Sequence, residues 1–81
     1  MNISILTPDA EIFQGIVTSV KVPGTLGSFQ VLKNHAPIVS SLSTGEVSIV
    51  KEGGEKMVFG IKGGFIEVLN NNISLLLTGV S

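Results

Sequence analysis

Cysteine, arginine, tyrosine and tryptophan are all missing from this chain of 81 residues. Without cysteine the chain cannot form disulfides, thiolate metal sites or a cysteine nucleophile. The absence of arginine, with five scattered lysines and a net charge of −1, argues against nucleic-acid binding, which needs clustered basic residues on the phosphates. Four phenylalanines are the only aromatic residues, so few side chains could stack on bases.

Long apolar runs and charged residues are also scarce. The run Leu75–Leu77 is far shorter than the roughly 20 residues that span a bilayer. The amino terminus, Met1–Glu11, has neither the positively charged part nor the long apolar part of a signal peptide. We therefore expect no direct membrane insertion. Charged residues make up 14% and hydrophobic residues 43%, which indicates either two apolar inner sheet faces or an exposed apolar interface.

Apolar and polar residues alternate with a period of two, and helical periodicity is absent. The stretch Ile16–Val22 is predicted to place its even-numbered residues on one face and its odd-numbered residues on the other. Met57–Ile61, Phe65–Leu69 and Ile73–Leu77 alternate in the same way. Short alternating runs separated by frequent turn signals predict an all-β sandwich or barrel.

Paired glycines mark two special backbone positions. Gly53-Gly54 lies between two alternating runs and predicts a tight hairpin turn with positive φ at its centre. Gly63-Gly64, directly before a strand, predicts a β-bulge or a close approach of two backbones.

Few residues could carry chemistry. His35 is the only histidine, and with Ser40 or Ser41 as nucleophile and Asp9 as orienting acid it would be a weak hydrolytic candidate. No nucleophile-elbow pattern accompanies these residues. We expect no catalytic residues and place His35 at a turn before Pro37.

Cofactor and metal sites are not predicted either. Glu52 and Glu55 flank the Gly-Gly turn and are expected to form a solvated tip, since no spacing typical of zinc or calcium ligands is present. Gly60–Gly64 contains glycines and a lysine but lacks the helix that a phosphate-binding loop requires.

Three motifs in a fixed order carry a family resemblance. Pro23–Pro37 reads PGTLGSFQVLKNHAP, Thr44–Ile49 reads TGEVSI, and Gly63–Val68 reads GGFIEV. This series resembles the amino-terminal domain of the epsilon subunit of F-type ATP synthases, over about Ile3 to Val80.

The resemblance makes the fold prediction more specific. It implies an all-β sandwich of two packed five-stranded sheets, about ten short strands, formed by residues 1–81 as a single domain. Most epsilon subunits continue into a helical hairpin, so we expect a short form lacking it, either natural or a piece of a longer subunit. The family's nucleotide site lies in that hairpin, so no intrinsic ATP site is expected.

The resemblance also implies a function. It indicates a non-catalytic rotor subunit of the central stalk, which links the gamma subunit to the c-ring so that proton- or sodium-driven rotation is coupled to ATP synthesis. The subunit would lie peripherally, as part of the complex, on the cytoplasmic face of the bacterial inner membrane.

The family's contact surfaces map onto two sets of residues. The loops implied to face the c-ring contain Thr25, Leu26, Gly27, Ser28, Lys33, Asn34 and His35. The surface implied to face gamma contains Thr7, Pro8, Ile38, Val39, Ser40, Ser41 and Leu42.

The chain departs from the family pattern in the first set. Ser28 replaces a common acid, Gln30 replaces a glycine, and Lys33-Asn34 replaces Pro-Gly. Asn34 still suits the left-handed backbone that glycine would adopt.

Two alternatives stay open from the sequence. A free-standing sandwich that binds a small molecule would have an internal cavity lined by Phe13, Phe29, Phe59 and Phe65. An enzyme that uses His35 would lose a hydrolytic activity on substitution of that residue.

Overall fold

The computed structural model describes residues 1–80, which form seven β-strands and, within that range, no helix. In chain order the strands are β1 (Asn2–Leu6), β2 (Glu11–Gly24), β3 (Gly27–Leu32), β4 (Ile38–Leu42), β5 (Gly45–Lys51), β6 (Lys56–Leu69) and β7 (Asn72–Val80). Among the described residues there is accordingly no apolar helix of membrane-spanning length.

Two long strands connect the layers of the sandwich. β2 and β6 have 14 residues each. The first part of β2 pairs with β1 and the later part with β3 and β5. β6 pairs first with β5 and then with β4, while β7 runs along most of it. The predicted all-β sandwich is confirmed.

The predicted count of about ten strands is wrong, because there are seven. Gly63-Gly64 shows the physical reason. The sequence pattern divides Met57–Ile61 from Phe65–Leu69 at these glycines, but in the structure β6 continues through them with two shifts of register against β7. A bulge bends and twists a strand without ending it.

The core between the layers is aliphatic. No polar or charged side chain among residues 1–80 is buried, and Phe13, Phe29 and Phe59 pack against the core while only partly buried. The buried aliphatic side chains of this core are Ile3, Ile5, Val17, Val20, Val22, Val31, Leu42, Val47, Ile49, Ile61, Ile66, Val68, Ile73, Leu75 and Leu77.

The predicted alternation is confirmed in most strands. In β6, Ile66 and Val68 are buried while Phe65 and Leu69 are exposed. In β3, Val31 is fully buried and Phe29 packs against the core, whereas Gln30 and Leu32 face outward.

The prediction for Ile16–Val22 is wrong at its amino-terminal end. Ile16 is 50% exposed, while its neighbour Val17 is buried together with Val20 and Val22. The register of β2 against β5 shifts between Val17 and Ser19, which marks a β-bulge. The extra residue reverses the facing of every residue before it, so a strict period of two cannot hold across the bulge.

Both glycine predictions are confirmed. Gly53 and Gly54 have φ of 97° and 96° at the β5–β6 turn. Gly64 has φ of 145°, and a Cβ at this position would overlap the carbonyl oxygen of Leu76. The two backbones can approach so closely because glycine has no side chain.

Candidate interaction surfaces

One sheet face carries a row of four neighbouring side chains from four strands, three of them apolar. We call the outward side of β4, β7, β1 and the Phe65–Leu69 part of β6 the outer face. Ser41 pairs with Phe65, Phe65 with Leu76, and Leu76 with Leu6, so these side chains lie side by side. Phe65 is 54% exposed and Leu76 is 49% exposed, although both are large and apolar. Exposed contiguous apolar side chains mark interaction sites.

Further apolar residues and the β1–β2 turn border this row. Val39 on β4 is 70% exposed, and Leu69 on β6 is also exposed. The exposed Glu67 pairs with Val39 and lies between Phe65 and Leu69 on the same side of β6. Thr7 and Pro8 follow Leu6 directly and share one shallow apolar cleft with Leu76 and Phe65. Thr7 and Pro8 therefore lie at one end of the row that reaches Ser41 on β4, on the same side of the sheet.

The strand β4 presents only part of its predicted surface. Val39 and Ser41 face outward, but Leu42 is buried and Ile38 packs against the core. Ser40 is half-buried and pairs with the inward-facing Ile66. The period of two that governs any strand prevents five consecutive side chains from sharing one face.

The β2–β3 turn carries the most exposed apolar side chain of the described residues. Leu26 stands at its tip and is fully exposed. Gly24 and Gly27 pair across the turn, and Gly27 has φ of 132°. The backbone N–H of Thr25 donates to the carbonyl oxygen of Ser41 at 3.1 Å, and the two hydroxyl oxygens lie 3.0 Å apart. Ser28 is exposed at the start of β3.

The Lys33–His35 turn lies at the opposite end of β3. Asn34 has φ of 66°, as expected for the left-handed backbone. Its N–H donates to Oδ1 of Asn71 at 2.7 Å, and Nδ2 of Asn71 donates to Oδ1 of Asn34 at 3.2 Å. The intervening strand of six residues spans roughly 17 Å. The structure does not bring this turn together with the Thr25–Ser28 turn.

Three exposed apolar residues were missed as candidate contact residues. Phe65, Leu69 and Leu76 are each next to a buried residue in their strand and face outward, but the alternation of apolar residues on both sides did not show in advance which side is buried. The available signal was that neighbouring strands each carry a large apolar residue at an outward position. Which outward residues become neighbours depends on strand order and register, and the sequence pattern supplies neither.

The structure gives little support to a catalytic site at His35, to a metal site or to a cavity lined by the four phenylalanines. Nδ1 of His35 lies 2.6 Å from the carbonyl oxygen of Ala36, and within residues 1–80 no hydrogen bond joins His35 to Ser40 or Ser41. Nowhere in that range do three metal-binding side chains gather. Of the four phenylalanines, Phe65 is exposed on the outer face and cannot line an internal cavity with the other three.

The chain is similar to the same kind of protein in a family comparison and in a comparison with individual proteins. The family described as "ATP synthase, Delta/Epsilon chain, beta-sandwich domain" matches residues 1–80. The ATP synthase epsilon chain of Leptospira borgpetersenii is 43% identical over 77 residues, and that of Leptospira interrogans is 42% identical over the same length. In both cases the match covers 94% of this chain and 59% of the relative. The chain thus spans little more than half the length of these relatives.

Solved structures show the same fold. A chain of the Euglena gracilis mitochondrial ATP synthase, solved with its c-ring, superposes with a TM-score of 0.90 at 25% identity, over 98% of this chain and 51% of its own. A chain from the central stalk and c-ring structure of the Tetrahymena thermophila mitochondrial ATP synthase gives 0.83 at 18% identity, over 100% of this chain and 65% of its own. The match over residues 1–80 decides membership: the chain belongs to the family of ATP synthase delta/epsilon chain β-sandwich domains.

Proposed function

We propose that the chain acts as the β-sandwich part of a non-catalytic rotor subunit in the central stalk of an F-type ATP synthase. It would link gamma to the c-ring, so that ion-driven rotation is coupled to ATP synthesis, and it would lie peripherally at the cytoplasmic face of a bacterial inner membrane. The names of its relatives support this role. The structural relative from Euglena was solved in an assembly that contains a c-ring.

The exposed apolar row on the outer face is the observation that carries the proposal. Phe65 and Leu76 lie side by side, Val39 lies near them on β4, and Thr7 and Pro8 form the rim. Permanent interfaces resemble a domain core cut in half, with large apolar residues at the centre and polar residues around them. We assign this face to gamma.

The β2–β3 turn is the proposed contact with the c-ring. Leu26 is fully exposed at its tip, with Thr25, Gly27 and Ser28 beside it. An exposed leucine on a two-residue turn makes little contact with its own domain, so it is free to enter a partner's surface. Because the Lys33–His35 turn lies at the other end of β3, the proposed ring contact does not include it.

Co-purification with gamma tests the assignment of the outer face. The chain would be expressed with the ATP synthase gamma subunit of the same organism, as wild type and as Val39→Lys and Leu76→Lys variants. Leu76→Lys would place an unpaired charge in a desolvated interface, so we expect its gamma affinity to fall about 30-fold or more. Val39→Lys would place its charge opposite Glu67 across the β4–β6 pair, so we expect a smaller loss for this variant.

Val58→Lys is the matched control. Val58 is similarly exposed but lies on the β5-paired part of β6, away from the outer face. We expect this variant to bind gamma like the wild type. If both outer-face variants also bind like the wild type, the gamma contact lies elsewhere.

A further inference from the structure

The tip of the β2–β3 turn is fastened to β4 by side-chain and backbone hydrogen bonds. The Thr25 N–H donates to Ser41 O at 3.1 Å, and the Thr25 and Ser41 hydroxyl oxygens lie 3.0 Å apart. Two residues before Thr25, the carbonyl oxygen of Pro23 accepts from the backbone N–H of Ser43 at 2.8 Å and from its hydroxyl at 3.2 Å. The turn is thus held on the outer-face strand as well as by its own hairpin.

The packing beneath the turn leaves it little freedom. Gly24 is buried and pairs both with Gly27 across the hairpin and with Leu42 at the end of β4. A Cβ on Gly24 would lie 2.7 Å from the Gly27 carbonyl oxygen and 2.8 Å from the Phe29 ring. Thr25 follows this glycine and donates a hydrogen bond to Ser41 on β4. The next residue, Leu26, is fully exposed.

We propose that Thr25 and Ser41 form a brace that fixes the turn carrying Leu26 relative to the outer face. The roles of the two surfaces rest on the proposed function, but the brace itself is a property of this chain. A turn held at a fixed position binds with less loss of conformational entropy than a free one. It also transmits force from β4 to the tip without first bending the hairpin. Thr25 and Ser41 are therefore positioning residues that join two contact surfaces.

Spin-label distances in the intact chain test the brace directly. The chain has no cysteine, so Leu26→Cys and Val39→Cys, both at exposed positions, accept a nitroxide pair without background labelling. We expect a narrow distance distribution in the otherwise unchanged chain. The Thr25→Val/Ser41→Ala variant should broaden it. A Thr25→Pro variant, which also removes the N–H and suits the second position of a tight turn, should broaden it further.

Three controls separate the brace from a general loss of order. Thr25→Ser keeps the hydroxyl and should keep the narrow distribution. Thr44→Val removes a comparable exposed hydrogen bond, from the Thr44 hydroxyl to Lys62 O at 3.0 Å, and should change nothing. A label pair at Val39 and Leu69, both on the outer face, should stay narrow in every variant.

A binding measurement links the brace to the proposed function. Because Thr25→Val removes the hydroxyl bond and leaves Ser41 and the rest of the outer face unchanged, this variant should bind gamma like the wild type. Its binding to the isolated c-ring should weaken by about three- to tenfold. If the Leu26–Val39 distribution stays narrow both in Thr25→Val/Ser41→Ala, which removes the hydroxyl contact, and in Thr25→Pro, which removes the N–H donor, the proposal is wrong whatever the chain binds. If the distribution broadens but the wild-type chain binds neither partner, the brace stands and the proposed function fails.

Discussion

A single backbone position, Gly64, sets the path of β6 where it crosses β7. Its φ of 145° lies in a region that residues with side chains rarely adopt, and the Leu76 carbonyl oxygen occupies the space of a Cβ. The bulge at Gly63-Gly64 turns Phe65 outward while Ile61 and Ile66 both remain buried. The apolar row of the outer face therefore depends on this glycine.

The substitution Gly64→Ala is expected to destabilise the fold by about 2–4 kcal/mol, because it adds steric overlap to backbone strain. Gly53→Ala is the matched control, since Gly53 also has positive φ but nothing lies near its missing Cβ. It should cost only about 1 kcal/mol. Urea unfolding of both variants measures the difference. Equal losses would mean that β6 can move away from Leu76 at little cost.

Within the strand β7, two neighbouring leucines have opposite roles. Leu75 is fully buried, while Leu76 lies on the outer face between Phe65 and Leu6. The two positions share residue type and strand, and they differ in which side of the sheet they face.

Truncation of each leucine separates stability from binding. We expect Leu75→Ala to lower the free energy of unfolding by about 2–5 kcal/mol, because it leaves a cavity in the core. Leu76→Ala should cost less than about 1 kcal/mol but weaken gamma binding. Thermal melts measure the stability of each variant, and gamma co-purification measures its binding. A larger stability loss for Leu76→Ala would show that the register of β7 is shifted by one residue.

Strand alternation was the part of the fold that the sequence predicted best. The facing of Phe65–Leu69 and Ile73–Leu77 follows from a period of two, and the Gly-Gly turns follow from the φ angles that only glycine adopts easily. The facing of Ile16 was predicted wrongly because a bulge at Val17–Ser19 adds one residue, and no local residue type marks it.

The contact surfaces were less predictable for a physical reason. Thr25–Ser28 and Lys33–His35 are close in the sequence, but β3 lies extended between them and holds them at opposite ends. Leu76 is distant from β4 in the sequence, and it reaches the same face only through pairing with Phe65. Proximity across a sheet is set by strand order and register, which depend on contacts along the whole chain.

At the scale of the whole molecule, the two proposed contact surfaces belong to one packed body. The outer face and the Leu26 turn meet at Ser41, which pairs with Phe65 on one side and binds Thr25 on the other. The proposed role is to hold two partners in a fixed relation, and a sandwich with an aliphatic core and a hydrogen-bonded turn has the rigidity that this role would require.

The most direct test is whether the chain physically joins gamma to the c-ring. Purified gamma and c-ring would be sedimented together with no addition, with the wild-type chain, and with a Leu26→Lys variant. We predict that gamma sediments with the ring only when the wild-type chain is present, and that the variant still binds gamma but no longer brings it to the ring. If gamma sediments with the ring equally well in all three samples, or if the chain binds neither partner, the proposed role as a link between them is contradicted.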